Sequence, residues 1–577
     1  MTIKITRRDI NTKLPLIERI LDSRGLNQDK LDFSLKGLQS FASLKDIDRA
    51  CDLLSGAIRH HKRILIVGDF DADGATSTAL AVDCLRHMGA SWVHYLVPNR
   101  FEYGYGLSPA IAQLAYDEFK PDLLITVDNG ISSFEGVAAA KALGMQVLVT
   151  DHHLAADGLP DADAIVNPNQ PGCLFPSKSA CGCAVIFYVL CALRARLIQQ
   201  GVVAEQLPNM GNYLDLVALA SVADVVPLDE NNRILVEQGL RRIRSGFARP
   251  GIQALLTVSQ KDHRFLTSKD FGFALGPRLN AAGRMDDMSI GIECLLSRDS
   301  NQAQSAAELL EELNQSRKQV EAGMQAQALL LLERVPIQQR DHASTLCLYQ
   351  PQWHQGVIGL LASRLKEKYY RPVIVFAPAQ EGEDHDDAEL KGSGRSIPGF
   401  HLRDALDLVA KRIPHVLQKF GGHAMAAGLS IERKHLDTFV ACFEEVAQAL
   451  IDDEMLVNEV HTDGMPAPNE FTINMARQLR LVAPWGQQFP EPIFDGEFQV
   501  LNGRLLGAEK NHLKLTLGVP NSAISLDGIL FGIDRHGLNG QTLLNARTVH
   551  LVFEMDVNEF RGHESVQLII RHLSVLG

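Results

Sequence analysis

Cysteine and tryptophan are scarce in this chain: nine Cys and three Trp among 577 residues. So thin and odd-numbered a set excludes a disulfide framework as the source of stability. The densest group, Cys173, Cys181, Cys183 and Cys191, lacks paired CxxC spacing and overlaps SACGCAVIFYVLCALRARL, which reads as a buried helix. These are expected to be small core residues rather than zinc ligands. Long apolar runs are missing too. Nothing approaches the ~20 residues that cross a bilayer, and MTIKITRRDINTKLP has no apolar stretch behind its basic residues, so neither a membrane span nor a secretory signal is expected and the cytoplasm is the expected location. There is no GxSxG and no GxxxxGK[ST], which argues against a serine nucleophile and an ATP-driven motor. Positive charge is in deficit, with 56 Lys and Arg against 69 Asp and Glu, for a net −13. Phosphate tracking usually needs a basic face, but carboxylates gathered around metal ions would themselves lower the total.

What remains is ordinary globular composition, 46% hydrophobic, in a chain long enough for about three or four domains. Residues 1–45 are weakly patterned and read as an N-terminal cap. From 46 to 170, short apolar runs (RILIVGDF, WVHYLVP, DLLITVD, MQVLVTDHH, DAIVNP) alternate with helical patterns such as TSTALAVDCLRHM, predicting a doubly wound parallel α/β sheet. Residues 172–335 are mainly helical and end in AQSAAELLEELNQSRKQVEAGMQAQALLLLERV, long enough to bridge two domains. A second α/β region follows, with STLCLYQ, RPVIVFAPA and AGLSIE as strands and EGEDHDDAEL as a solvated acidic loop. Beyond 460 the short strands and Gly turns suggest a small barrel. The expected domains are 1–45, 46–335, 336–455 and 456–577.

Chemistry concentrates at predicted strand ends. In ILIVGDFDADGATST, Asp69, Asp71 and Asp73 alternate, so an extended backbone would aim all three to one side. LLITVDNG ends in Asp128, QVLVTDHH in Asp151, His152 and His153, and Asp224 sits among apolar neighbours in ALASVADVVPL. Carboxyl ends of strands are where open α/β sheets place ligands. Carboxylates that face one another repel unless a cation lies between them, and a mixed carboxylate and imidazole set suits manganese or magnesium. A calcium loop of the DxDxDG type fails, because a buried strand precedes it and Leu80 stands where that loop needs a bidentate Glu.

VGDFDADG, VDNG, TDHH and SVADVVPL resemble, in order, the motifs of the DHH phosphoesterase superfamily, and WHQGVIGLLASRL, GSGRS and KFGGHAMAAGL resemble the DHH-associated domain. With GPRLNAAGRM and the β-rich C-terminus, nearly the whole chain is similar to the superfamily's bacterial single-strand-specific 5′→3′ exonucleases. The resemblance implies a DHH domain, a bridging helix, a DHH-associated domain and a C-terminal oligonucleotide-binding barrel. It implies two divalent cations, Mn2+ or Mg2+, with Asp69, Asp71, Asp73, Asp128, His152 and Asp224 as ligands and Asp128 as the bridge. His153 would face the scissile phosphate and Asp151 would orient the histidine pair. Many members carry His just before the Gly of the first motif; here that position is Val67, with Asp69 or water as the expected substitute.

Substrate contacts are implied for Arg278, Ser393 and Arg395 on a terminal 5′ phosphate, Arg100 on the backbone nearer the metals, and Asn280, Gly422 and His423 beside the strand. The arginines lie in segments that read as Gly-rich or polar turns, where a guanidinium suits bidentate phosphate contacts. Asn314 and Arg317 share a helix face and either line a DNA channel or tie the helix to a neighbour. Arg504, Lys510, His512, Lys514 and Phe531 are the barrel's exposed candidates, while alternate apolar residues there are core. The implied activity is hydrolysis of single-stranded DNA to nucleoside 5′-monophosphates in repair and recombination, by a monomer served by a RecQ-type helicase and single-strand-binding protein. Two rivals are a DHH phosphoesterase of short oligoribonucleotides, cyclic dinucleotides or pyrophosphate, and a non-catalytic scaffold. The first would not require the C-terminal barrel; the second should have lost metal ligands that are present here.

Overall fold

The computed structural model describes the chain apart from residues 1–2, 12, 27–30, 100–102, 104–105, 335–342, 381, 453, 508–509, 534–542, 561 and 577. The chain forms two compact units: one of residues 28–315 with 481–491, the other of 1–27, 316–480 and 492–577. The segment 1–45, read from sequence as one cap, thus divides between them.

The first unit carries a five-stranded, all-parallel sheet of order β3-β2-β4-β5-β6. Its strands are β2 (Ile64–Val67), β3 (Val93–Leu96), β4 (Leu123–Val127), β5 (Gln146–Thr150) and β6 (Ala164–Val166). Every residue of β2, β4 and β6 is buried, as expected of parallel strands covered on both faces. Leu65, Val67, Leu124, Val147 and Val149 pack with Ile111, Ala115, Val137 and Ala140 of the helices Pro109–Phe119 and Phe134–Ala142. Strand order reverses at β2: the chain leaves it for β3 on one side and returns to β4 on the other. The crevice so formed at the carboxyl ends is where such sheets bind ligands. Gly182–Gln199 is apolar enough by composition to cross a membrane, but two-thirds of it is buried within this protein. It is the buried helix expected of the cysteine-rich segment, with Cys181 and Cys183 fully covered.

In the second unit β7 (Leu346–Tyr349), β8 (Val373–Pro378), β9 (Glu389–Arg395), β10 (Lys419–Gly422) and β11 (Ala426–Glu432) form a sheet of order β10-β11-β9-β8-β7. Phe376 on β8 meets Phe439 edge-on at 5.5 Å, and Phe439 stacks on Phe443 of the helix Leu436–Leu450. β9 corrects the reading of Arg395 as a turn residue. The acidic loop stops at 388, and Lys391, Ser393 and Arg395 alternate along a strand. Glycines at 392 and 394 hid it, because Leu429 and Phe376 crowd Gly392 while Leu402 crowds Gly394. Five further strands, β13 (Phe494–Leu506), β14 (His512–Gly518), β15 (Ser525–Phe531), β16 (Thr548–Phe560) and β17 (His563–Val575), close into the barrel foreseen at the C-terminus. Leu513, Leu515 and Leu517 fill it.

The N-terminal strand β1 (Ile3–Arg7) pairs in parallel with β12 (Asn458–Thr462). Arg24, almost wholly buried, holds the buried Asp463 through two hydrogen bonds of 2.8 and 2.9 Å. Removing Arg24 strips this buried carboxylate of two charge-assisted hydrogen bonds and leaves only Arg8, 3.8 Å away, to offset its charge. Arg24→Ala should therefore cost about 3–5 kcal/mol in urea unfolding of this unit; a loss below about 1 kcal/mol would show that the pair is not what fastens the N-terminus.

Candidate metal centre

Three adjacent strand ends build the centre. After β2, Asp69 occupies the loop, Asp71 is the N-cap of the helix Ala72–His87, accepting from the Gly74 N–H at 3.0 Å, and Asp73 lies in that helix's first turn. The three carboxylates therefore converge by a turn into a helix, not along an extended strand as their alternation suggested. Asp73 is buried, and the N–H groups of Gly182 and Cys183 donate to it at 2.7 and 2.8 Å. Those N–H groups open the helix Gly182–Gln199, whose positive end favours an anion. After β4, Asp128 adopts φ 64°, a left-handed conformation that Asp tolerates better than most residues. Its neighbour Asn129 is buried and donates to the carbonyls of Val67 and Val127 (3.1 and 2.9 Å), tying together the ends of β2 and β4.

After β5 comes Asp151, the hub of the histidine pair. Its Oδ1 accepts from the His152 N–H (2.7 Å), the His153 N–H (3.1 Å) and His153 Nδ1 (2.8 Å), and its Oδ2 accepts from the Ile131 N–H (2.9 Å). Asn169 and Asn167 donate to the carbonyls of His152 and His153 (2.6 and 2.9 Å). Sequence reasoning passed over Asn129, Asn167 and Asn169; the signal available was an Asn within three residues of the end of an apolar strand. Asp224 closes the helix Leu214–Ala223, and the next residue, the exposed Val225, sits at φ 58°, a strained conformation for a β-branched side chain.

His152 Nε2 lies 3.1 Å from Asp128, 3.6 Å from Asp224 and 3.9 Å from Asp73. Three sets, Asp69/Asp71/Asp128, Asp73/His152/Asp224 and Asp128/His152/His153, each offer ligand atoms within 4.8 Å of one another. Asp69 thus stands with Asp71 and Asp128, while Val67 is a buried strand residue. This donor set suits a hard or borderline divalent cation. Gly182 keeps the space open: a Cβ there would lie 2.5 Å from Asp128 Oδ1.

Charge in the metal-free cluster is poorly tolerated. Burial, then the charge of Asp71, raises Asp73 to about 6 despite its two N–H donors. Burial, followed by Asp73 and Asp71, pushes Asp128 and Asp224 well above the carboxylate range. His153 goes the other way. Burial disfavours its imidazolium, but the hydrogen bond and charge of Asp151 prevail and raise it to about 9. Burial likewise opposes the Asp151 charge, yet His153 and the Ile131 N–H hold that carboxyl low.

The remaining candidates lie elsewhere in the two units. Arg278, a helix residue of Gly276–Met285 rather than a turn residue, is mostly buried, ion-paired with Glu311 at 2.5 Å and donating to the Ala274 carbonyl. Asn280 accepts from the Ala72 N–H at 2.8 Å, beneath the first motif. Arg395 donates to Ser393 Oγ and to the Gly394 carbonyl, with no carboxylate beside it among the described residues, and burial lowers its pKa. Both side chains lie against Gly359, at the start of the helix Ile358–Tyr369. Gly422 sits at φ 138° with the Ala426 carbonyl where a Cβ would be, so its glycine serves the hairpin that exposes His423. Arg100 lies outside the described residues. Arg317 pairs with Glu321, which also takes Arg364 at 3.0 Å, tying two helices of one unit together. In the barrel Phe531 is half exposed and meets His512 edge-on, while Lys514 pairs with Asp527. Two residues of the acidic loop, Asp384 and Asp387, pair with Arg433 and Lys434.

A parallel sheet whose strand ends gather carboxylates and a His pair is the core of a DHH-type phosphoesterase, and the model of the DHH family N-terminal domain matches residues 63–221. The DHHA1 domain matches 342–449 and the RecJ OB domain 462–572. The single-stranded-DNA-specific exonuclease RecJ of Escherichia coli K12 is 48% identical over 99% of both chains, and that of Salmonella typhimurium LT2 is 50% identical over 96% of this chain and 95% of its own. The crystal structure of RecJ in complex with Mn2+ from Thermus thermophilus, 27% identical, superposes with a TM-score of 0.79 over 99% of this chain and 79% of that one. The chain belongs to the RecJ family.

Asp73, at about 6 in the folded protein and about 4 unfolded, binds more protons folded than unfolded between those values. Its contribution to metal-free stability is therefore present below about pH 4 and lost as pH rises through about 6. In EDTA, wild type should melt below Asp73→Asn at pH 7, the gap should close towards pH 4, and Mn2+ should reverse the order. A gap that widens on acidification would contradict the assignment.

Proposed function

We propose that this chain is a metal-dependent exonuclease that degrades single-stranded DNA 5′→3′ to nucleoside 5′-monophosphates, acting in the cytoplasm in DNA repair and recombination. The observation that carries the reading is the gathering of Asp69, Asp71, Asp73, Asp128, His152 and Asp224, in a chain whose whole length matches proteins of that name. Asp69, Asp71 and Asp128 would hold one divalent cation, Mn2+ or Mg2+, and Asp73, His152 and Asp224 a second, with Asp128 shared. When bound, such a pair supplies a hydroxide nucleophile at neutral pH and neutralises charge on phosphoryl oxygens. His153, oriented by its hydrogen bond to Asp151, would face the scissile phosphate.

End recognition is assigned to Arg395 and Ser393. A half-buried guanidinium with no carboxylate beside it among the described residues favours an anion, and the helix N-terminus at Gly359 adds N–H groups of the right sign. Arg278 would reach a phosphate only by exchanging its ion pair with Glu311. Arg100, Asn280, Gly422 and His423 are the further candidates for strand contact. A RecQ-type helicase and single-strand-binding protein are the proposed partners of a monomeric enzyme, on family grounds alone.

The test uses single-stranded oligonucleotides labelled internally or at either end, with Mn2+, and Asp128→Ala beside wild type. Mononucleotides released from the 5′ end, resistant duplex and a silent variant are expected. Intact long DNA with cleavage of cyclic dinucleotides or short oligoribonucleotides would overturn the reading. Arg395→Ala should lose preference for a 5′-phosphate over a 5′-hydroxyl end by about tenfold or more, the worth of one charge-assisted hydrogen bond. Equal losses on both ends would remove Arg395 from end recognition.

A further inference from the structure

Asp71 is joined to the chain by two peptide bonds, and one helix touches both. Ahead of Asp71, the Phe70 carbonyl presses on Gly283 of Gly276–Met285, where a Cβ would come within 1.8 Å of the Phe70 oxygen. Behind it, the Ala72 N–H donates to Asn280 Oδ1 of the same helix at 2.8 Å. A peptide unit is planar, so a contact on the oxygen of the first and a hydrogen bond from the second restrict how both planes can turn. The direction of the Asp71 side chain then follows from its backbone.

Each contact answers a local need. Ala72 is the first residue of the helix Ala72–His87, and its N–H is one of the donors no helix can satisfy internally. The Asp71 cap takes Gly74, not Ala72. With Ala72 buried, water is a poor substitute, and Asn280 supplies the acceptor. Asp71 would otherwise have to choose between capping its own helix and turning away under repulsion from Asp69 and Asp128, with which it shares a set of ligand atoms.

We infer that Asn280 and Gly283 are positioning residues for the metal centre: they aim Asp71 at its cation by clamping the two peptide planes beside it. This gives Asn280 a role beside the strand contact proposed for it above. It rests on the metal-binding part of the proposed function and not on the identity of the substrate.

The test measures Mn2+ binding to the full-length protein without DNA, by the loss of the free-ion electron paramagnetic resonance signal. Asn280→Ala should weaken Mn2+ binding about tenfold, the lower end of what an outer partner contributes, while Asn280→Asp, which keeps an acceptor for Ala72, should bind Mn2+ more tightly than Asn280→Ala. Gly283→Ala should act in the same direction as Asn280→Ala. In an Asp71→Asn background the Asn280→Ala change should add nothing further, because the two act through one side chain. Unchanged Mn2+ binding in a folded Asn280→Ala protein, or losses that multiply with Asp71→Asn, would overturn the inference. Because no DNA is present, failure to cleave single strands would remove the nuclease reading and leave this result standing.

Discussion

Buried negative charges that face one another govern this protein's first unit. Two charged carboxylate oxygens within 4.8 Å repel by about 3 kcal/mol or more at an effective dielectric of about 20, and this centre gathers five carboxylates, three of them within 3.9 Å of His152. Such a cluster persists without its cations only if the backbone around it cannot yield. The upward shifts of Asp73, Asp128 and Asp224 come first from burial and then from this same repulsion. Metal ions are the chemical answer to that repulsion.

Much of the local structure can be read as resistance to it. Asp73 is held against the positive end of the helix Gly182–Gln199. Asn129 ties the ends of β2 and β4, Asn167 and Asn169 hold the carbonyls of the histidine pair, and Asp151 gathers four donors from the loops after β4 and β5. Glycine occurs where a side chain would enter: at 182 against Asp128, at 74 against the Asp69 backbone and at 283 against Phe70. A parallel sheet with its reversal at β2 makes this possible, because it brings the three loops side by side at one edge.

The strands of the first sheet, the long helix Ser300–Arg334 and the metal-binding residue types were legible in sequence. Apolar runs ending in Asp or His carry their own signal, and a ligand motif is local in the chain. Strand β9 was not legible, since its glycines answer to cross-strand neighbours such as Leu429 and Leu402 that only folding brings near. Nor was the setting of Arg278, which read as a turn residue and proved to be a helical, ion-paired one, or the division of the first 45 residues between two units. The convergence of Asp69, Asp71 and Asp73 was foreseen with the wrong geometry, because a period of two also fits a loop, an N-cap and a first helical turn. Residue types name the chemistry; contacts distant in sequence decide which side chains deliver it.

The most direct measurement is anomalous X-ray scattering from crystals grown with Mn2+. The account predicts two peaks per chain, one ringed by Asp69, Asp71 and Asp128 and the other by Asp73, His152 and Asp224, with Asp128 between them. No peak at these carboxylates in Mn2+-saturated crystals, or manganese found only elsewhere on the surface, would contradict it.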